Sequence, residues 1–500
     1  MCEWRRSGRV LVTVALALTT LGVDVLVSQG PSASSRRRTV ILDGREVVEG
    51  EVIVRYRPRS GQIERQRAEF QADSDASEAI GRRGARRLRS RERTTREMIE
   101  ALRANPDVEF VEPNYIIRAA AAANDPMMDS LWGLLNTGQT VDGMAGVPGA
   151  DIGASTAWDF TTGSRANIVA VLDTGVDFTH PDLAANMFSA PRQFTVPVGS
   201  LQVTCGPGTH GFNALTNMCL PIDDNGHGTH VAGIIGAVGN NNVGVTGVNW
   251  TATIMALKVL GVDGTGTTAD AIKAIEFAIQ AKAVLGVDGN IRVLNASWGG
   301  AVFSQALDDQ IQAANNADML FVAAAGTAGT NNDVAPHNPA SSTRGNVIAV
   351  AAADNTGQLA PYSNYGATTV DLAAPGASTL STLPDNGYGE MGGTSMAAPF
   401  VSGAAALVLS ACPSNTATLK SRLLNSVDPV AGMQGKTVSG GRLNVGTAIE
   451  RCYVGLNATI SGNTITANVT NSPGRPTDWL ALYCPASNGN SAYADWKYLN

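Results

Sequence analysis

The chain has 500 residues, 44% of them hydrophobic and only 16% charged, with a formal net charge of −7. That balance excludes an intrinsically disordered chain and gives no general basic surface for nucleic acid. Six cysteines without a single Cys-x-x-Cys spacing argue against zinc, and as disulfides they require an oxidising compartment.

The charge is uneven: residues 1–118 hold 22 basic against 17 acidic side chains, and the remainder 14 against 26. The Arg-rich stretch Arg82–Arg96 is interrupted by Ser90 and Glu92, so it does not read as a nucleic-acid patch. Residues 1–34 have the form of a secretory signal. Arg5, Arg6 and Arg9 precede an apolar stretch from Val10 to Val23, and small residues follow at Pro31-Ser32-Ala33-Ser34. Asp24 interrupts the apolar run, which argues against a spanning helix. An exported protein is expected, extracellular or periplasmic, with no membrane association once processed.

Residues 35–120 read as a small α/β domain. Glu51–Tyr56 alternates like a half-buried strand, Thr95–Asn105 carries Met98, Ile99 and Leu102 at helical spacing, and Val108–Tyr115 supplies another strand. The small residues of Ala119–Asn124 suit proteolytic processing.

Residues 121–452 alternate apolar strands with amphipathic helices. Ile168–Leu172, Ile254–Val259, Arg292–Asn295, Met319–Ala325 and Val347–Ala351 read as buried parallel strands. Thr268–Leu285, Ser304–Asn316 and a segment from Ser395 through Leu409 read as helices. The pattern predicts an α/β domain with a doubly wound, mostly parallel sheet, whose site lies at the carboxyl ends of the strands. Cys205 and Cys219 bracket a short Gly-rich loop and are expected to pair. Cys412 and Cys452 would close the end of the domain, leaving Cys484 over. In residues 453–500, Ala458–Val469 reads as a hairpin about Gly462-Asn463, with further strands at Trp479–Tyr483 and Asp495–Leu499, the opening of a partial β-sandwich.

Three segments carry chemistry. They are Val169–Gly175 around Asp173, Asn225–His230 around His227, and Gly392–Pro399 around Ser395. A serine hydroxyl needs an imidazole to take its proton, and the imidazole needs a carboxylate to fix its tautomer. His227 with His230 also has the spacing of a metal pair, but lacks the glutamate of a zinc-protease helix and nearby cysteines.

In the order Asp-Thr-Gly, His-Gly-Thr-His-Val-Ala-Gly and Gly-Thr-Ser-Met-Ala-Ala-Pro, these motifs resemble the subtilisin-like serine proteases. The resemblance implies a secreted endopeptidase, monomeric, self-processed from a precursor, with residues 35–120 as its own intramolecular inhibitor and polypeptides as substrates. It makes Asp173, His227 and Ser395 the triad. Gly264-Thr265-Gly266 and Ser297-Trp298-Gly299 become the backbone edges that hold an extended peptide on the acyl side. The chemistry needs no cofactor. The resemblance nominates a structural calcium, held by Asp182, the Asn241 side chain and the carbonyls of Gly239, Val243 and Val245.

One position departs from the pattern. The family places an oxyanion-binding Asn after Ala-Ala-Ala-Gly; here Ala323–Gly326 is followed by Thr327. Its shorter hydroxyl predicts an active but slowed enzyme, with Asn331 or Asn332 as alternative donors. A catalytically impaired binding protein is the second reading and an esterase the third.

Overall fold

The strand ending at Asp173 sends Val169 and Val171 into one apolar cluster and Ile168, Ala170 and Leu172 into another. A strand buried on both faces has no reason to alternate polar with apolar residues, which is why its sequence is a continuous apolar run. The computed structural model describes residues 39–42, 45–81, 84–116 and 123–452, and the strand backbone of 455–461, 464–470, 479–484 and 492–498. The expected signal peptide and the first part of the Ala119–Asn124 stretch lie outside the described residues.

The large unit is built on a nine-stranded sheet. From one edge the order is Gly211–Asn213, Thr251–Lys258, Gly163–Asp173, Ile291–Ala296, Leu320–Ala324, Val347–Ala353, Leu372–Pro375, Gly441–Arg442 and Asp428–Pro429. All neighbours run parallel except the last pair. Helix Thr394–Ala411 packs on one face through Met396, Val401 and Leu407, and helices Thr268–Leu285 and Gln305–Asn316 on the other through Ile275, Phe277 and Ile311. This is the expected doubly wound α/β arrangement. Thr394–Ala411 is apolar enough to cross a membrane by composition, but its residues are core, which explains the composition.

The expected helix from Ser304 begins at Gln305, because the Ser304 hydroxyl caps it by accepting from Leu307 N. Three hairpins of this unit were not anticipated: Thr140–Val141 with Met144–Ala145, Phe194–Val198 with Leu201–Cys205, and Thr379–Leu383 with Gly387–Met391. Cys205–Cys219 and Cys412–Cys452 form the two expected disulfides. Closing loops of 14 and 40 residues this way stabilises the fold by about 3–4 kcal/mol each in the chain-entropy account.

The smaller unit has an antiparallel sheet in which Arg45–Tyr56 pairs with Ala85–Arg89 and with Val108–Tyr115. Helix Thr95–Arg103 buries Met98, Ile99 and Leu102. It starts at a capping box, Thr94 accepting from Glu97 N while the Glu97 carboxylate accepts from Thr94 N. It ends two residues earlier than its periodicity suggested. In the C-terminal segment, Gly455–Ser461 pairs with Thr464–Thr470 about the expected turn, and Trp479–Cys484 pairs with Ala492–Tyr498, three residues longer at its start than expected. Its side chains, Cys484 among them, lie outside the described residues.

Candidate active site

Asp173 is the last residue of its strand, opposite Lys258 on one neighbour, while Leu172 lies opposite Ala296 on the other. Ser297 therefore emerges beside Asp173. The second residue of helix Thr394–Ala411 is Ser395, whose hydroxyl donates to the Ser297 carbonyl at 2.9 Å. His227 opens helix His227–Gly236 and places Nδ1 2.7 Å from Asp173 Oδ1. The topology thus gathers three residues that are 54 and 168 positions apart onto one edge of the sheet.

Asp173 is fully buried, and Oδ1 also accepts from Thr174 N at 2.8 Å. Its other oxygen, Oδ2, has no hydrogen-bond partner among the described residues. Burial alone would lower the pKa of His227. The Asp173 charge and hydrogen bond, with Asp223 behind them, outweigh burial and hold the imidazole above its ordinary value.

Asp223 was not anticipated. It is buried, and five donors converge on it: Thr174 Oγ1, Asn225 N and Gly226 N on Oδ1, and Thr229 N and Oγ1 on Oδ2, at 2.6–3.0 Å. Burial opposes ionisation, but these bonds hold the carboxyl below its usual range. Gly228 N donates to Thr174 Oγ1, so Asp223 ties the Asp173 strand end to the first turn of the His227 helix. Gly228 has no room for a Cβ, which would meet Gly175 O at 2.1 Å. His230 lies outside the chemistry. It is buried and neutral, its pKa pushed down to about 4 by burial, and Nε2 bonds Gly389 O at 3.0 Å.

A second unanticipated network holds Ser395. Pro399 has no N–H, so it cannot bond the carbonyl four residues earlier, which is that of Ser395. Ser297 Oγ donates to that carbonyl instead, at 2.8 Å. Asn295 Nδ2 donates to Ser297 Oγ at 2.9 Å, and Ser402 Oγ to Asn295 Oδ1 at 2.7 Å.

At the start of the same helix, Thr394 Oγ1 accepts from Gly326 N at 3.0 Å, drawing the Thr327 loop alongside. The Thr327 methyl lies 3.4 Å from where a Cβ on Gly393 would be. Thr327 is exposed, and its hydroxyl has no partner among the described residues. Asn332 does not serve as an alternative donor: it is buried, with Nδ2 on Ala325 O and Oδ1 on Asn364 Nδ2. Asn331 accepts from Asp333 N in its own turn.

The two expected backbone edges meet in one cavity of about 260 Å³. Gly266 lines it from the first, Trp298 and Gly299 from the second, and the walls mix apolar Leu260, Ala271 and Leu307 with polar Thr267 and Asn338. Trp298 is anchored by Nε1 to Leu172 O at 2.7 Å, next to the catalytic strand end. Gly264 and Thr265 form a tight turn in which Gly261 N donates to Thr265 O.

At the expected cation loop, Asp182 is fully buried. Oδ1 accepts from Asn241 Nδ2 at 2.8 Å and Oδ2 from Val245 N at 2.9 Å. Asn241 thus turns its amide nitrogen toward Asp182 and its oxygen toward Val243 N, contrary to the expectation that the oxygen faces inward. Asp125, which the sequence reading missed, accepts from Asn240 N and Asn241 N in the same loop. Burial raises the pKa of both carboxyls, and the Asp125 charge adds to the effect on Asp182. The carbonyls of Gly239, Val243 and Val245 accept no hydrogen bond among the described residues. Two buried carboxylates beside free carbonyls suit a hard cation. Among the described residues no cluster of three acidic, His or Cys side chains exists, so any such shell is completed by carbonyls.

Comparison with known proteins gives the family. The subtilase family model matches residues 164–445, and a model of the fervidolysin N-terminal prodomain matches residues 36–114. A thermophilic serine proteinase from a Bacillus species is 33% identical over 403 residues, covering 80% of this chain and 88% of that protein. An extracellular protease from Xanthomonas campestris is 32% identical over 412 residues, covering 76% and 67%. Among solved structures, proteases from Pseudoalteromonas arctica are similar with 28% identity and a TM-score of 0.54, over 66% of this chain and 100% of that chain.

Proposed function

The chain belongs to the subtilase family and is a subtilisin-like serine endopeptidase with an N-terminal prodomain, and on that premise we propose that Asp173, His227 and Ser395 carry out its chemistry in an exported, self-processed enzyme. The observation that carries the triad is the 2.7 Å bond from His227 to a fully buried Asp173, at the strand end adjoining Ser395.

In the resting geometry the Ser395 hydroxyl bonds Ser297 O. To react it rotates toward His227 Nε2, the ring nitrogen not held by Asp173. His227 takes the proton as Ser395 Oγ attacks the peptide carbonyl, and Asp173 stabilises the imidazolium. His227 then protonates the leaving amine, leaving an acyl-enzyme that water cleaves by the same steps. The developing oxyanion is held by the Ser395 N–H, which has no intrahelical acceptor at a helix start, and by the Thr327 hydroxyl. The peptide lies extended along Gly264–Gly266 and Ser297–Gly299. The comparisons lend no support to the impaired binding protein.

Residues 35–120 act as the intramolecular inhibitor, residues 1–34 direct export, and the C-terminal segment 453–500 follows the catalytic residues 121–452. Ala123 is buried and Asn124 Oδ1 accepts from Asn242 N, which favours processing on the N-terminal side of Ala123. Asp125, Asp182 and the carbonyls of Gly239, Val243 and Val245 would hold calcium, with Asn241 joining them only if its amide turns to present Oδ1, and the charge of the ion offsets the two buried carboxyl groups.

A fluorophosphonate probe tests the reading. Wild-type protein recovered from the medium should label and Ser395→Ala should not; labelling that survives the substitution would remove Ser395 from the mechanism. N-terminal sequencing of the same sample should begin at or before Ala123.

A further inference from the structure

Among the described residues Lys258 is the only lysine that is buried, at 3% exposure. It ends the strand Thr251–Lys258, in register with Asp173 on one side and with Asn213 on the other. Its Nζ donates to two acceptors, each at 2.6 Å: the carbonyl of Thr174, which follows Asp173, and Asp224 Oδ1, three residues ahead of His227. One ammonium thus spans from the segment carrying Asp173 to the segment carrying His227.

Stability does not account for a cation at this position. Burying an ammonium is unfavourable unless its partner is equally enclosed, and the Asp224 side chain stays 51% exposed. Water solvates a carboxylate well at that exposure, so the pair contributes little, and an apolar residue would fill the strand end more favourably. A buried charge of this kind fits a part that fixes the registry of two segments.

The contacts show what it fixes. Thr174 is fully buried, and each of its polar groups is engaged. Its N–H donates to Asp173 Oδ1, its hydroxyl donates to Asp223 and accepts from Gly228 N, and its carbonyl accepts from Lys258. The backbone just past Lys258 grips the same strand end, with Val259 N and Leu260 N donating to the Asp173 carbonyl at 2.8 and 3.1 Å. On the imidazole side, Asn225 follows Asp224, and its Oδ1 accepts from His227 N at 3.2 Å. Asp223 joins the two segments at one point. Lys258 joins them at a second, and two points are needed to stop rotation about the first.

We propose that Lys258 is a positioning residue for the reaction: by locking the residue after Asp173 to the residue three before His227, it sets the separation and angle at which Asp173 Oδ1 meets His227 Nδ1. This rests on the endopeptidase reading above. The bond it sets must keep its geometry while charge moves onto the imidazole, so the effect falls on turnover and not on substrate binding.

Kinetics of the processed enzyme on one peptide substrate test this, with denaturant midpoints measured alongside. Lys258→Met keeps the length of the side chain and removes the ammonium. It should lower kcat by on the order of tenfold, within the roughly 10²-fold that an ångström of misplacement costs, with KM little changed. Lys258→Arg, which keeps a cation with several donors, should recover most of the loss. In an Asp173→Asn background Lys258→Met should cost nothing further, because the bond it sets is already compromised; general loosening of the fold would lower kcat equally in both backgrounds. Asp224→Ala removes the half-exposed end alone, leaves the Thr174 bond in place and so tests the idea even where Lys258→Met does not fold. It should lower kcat about threefold, the scale of one partly exposed ion pair. Full kcat in Lys258→Met or in Asp224→Ala, or equal losses in the two backgrounds, overturns the assignment. Fluorophosphonate labelling separates the two readings. Wild type that labels while these variants keep full kcat removes the Lys258 role alone; wild type that neither labels nor cleaves removes the endopeptidase reading as well.

Discussion

Around His227 two buried carboxyl groups gather backbone and side-chain donors, whereas at the proposed oxyanion position the donors would be a backbone N–H and one exposed hydroxyl. The first half is over-determined. Asp173 and Asp223 are both buried, their oxygens accept seven bonds between them, and the strand end and helix start they join cannot shift independently. The second half, as proposed, takes one donor from the helix start and the other from Thr327, whose neighbours Gly326 and Ala328 are held by Thr394 and Asn364 but whose own hydroxyl has no partner among the described residues. Substitution is expected to cost least there and most where a buried charge would be orphaned.

The contrast can be broken most forcefully at Asp173. Asp173→Asn should reduce kcat on the order of 10⁴-fold with KM little changed, a magnitude carried over from the same change in a chymotrypsin-type triad and similar to that for removing the aspartate in subtilisin. A loss below tenfold would mean that the carboxylate does not orient the imidazole. Next in size, Asp223→Ala leaves five donors without an acceptor and should destabilise the catalytic domain by about 3 kcal/mol in denaturant unfolding. An unaltered midpoint would show that water replaces the carboxylate without cost. On the looser side the effect should have the opposite sign. Thr327→Asn should raise kcat, by up to about 10²-fold, with little change in KM. Equal activity would show that another donor already occupies the position.

The smallest effect is in pH. His227 must be neutral to act as base, and its pKa lies above the ordinary imidazole value, so activity should rise with pH through a midpoint above about 6.5. The linkage signs of His227 and Asp223 differ. The raised His227 pKa gives stability that is complete below its unfolded value and lost as pH rises through the folded one. The lowered Asp223 pKa gives stability present above its unfolded value and lost as pH falls through the folded one. Asp223→Asn should therefore move the activity midpoint down; no movement would remove Asp223 from the electrostatics of His227. Calcium removal provides a control outside both halves. A chelator should lower the Tm of wild type and leave an Asp125→Asn/Asp182→Asn variant unaffected.

Much of this was legible in the chain. The strand before Asp173 is apolar because both its faces are buried, so its end could be located and the carboxylate singled out from Asp177, which lies beyond the strand and accepts from Thr179 and from Asp385 N. The disulfides bracket loops, and the helices carry their periodicity. The hairpin Thr379–Met391 had a signal that went unread: its strands are joined by Pro384-Asp385-Asn386, turn-forming residues of which Asp385 and Asn386 take positive φ. Asp223, Asp125 and Asn295 offered no local signal, because their partners lie on other segments.

The linear sequence determined which groups are nominated for the reaction and in what order they occur, because activating a serine requires a specific trio. Only the folded sheet decided which distant residues support them. Asp223 acts by joining a strand end to a helix start, and Ser297 by making a bond to the Ser395 carbonyl that Pro399 cannot make. Each of those roles is a relation between segments that the parallel sheet brings together, and spacing along the chain does not encode it.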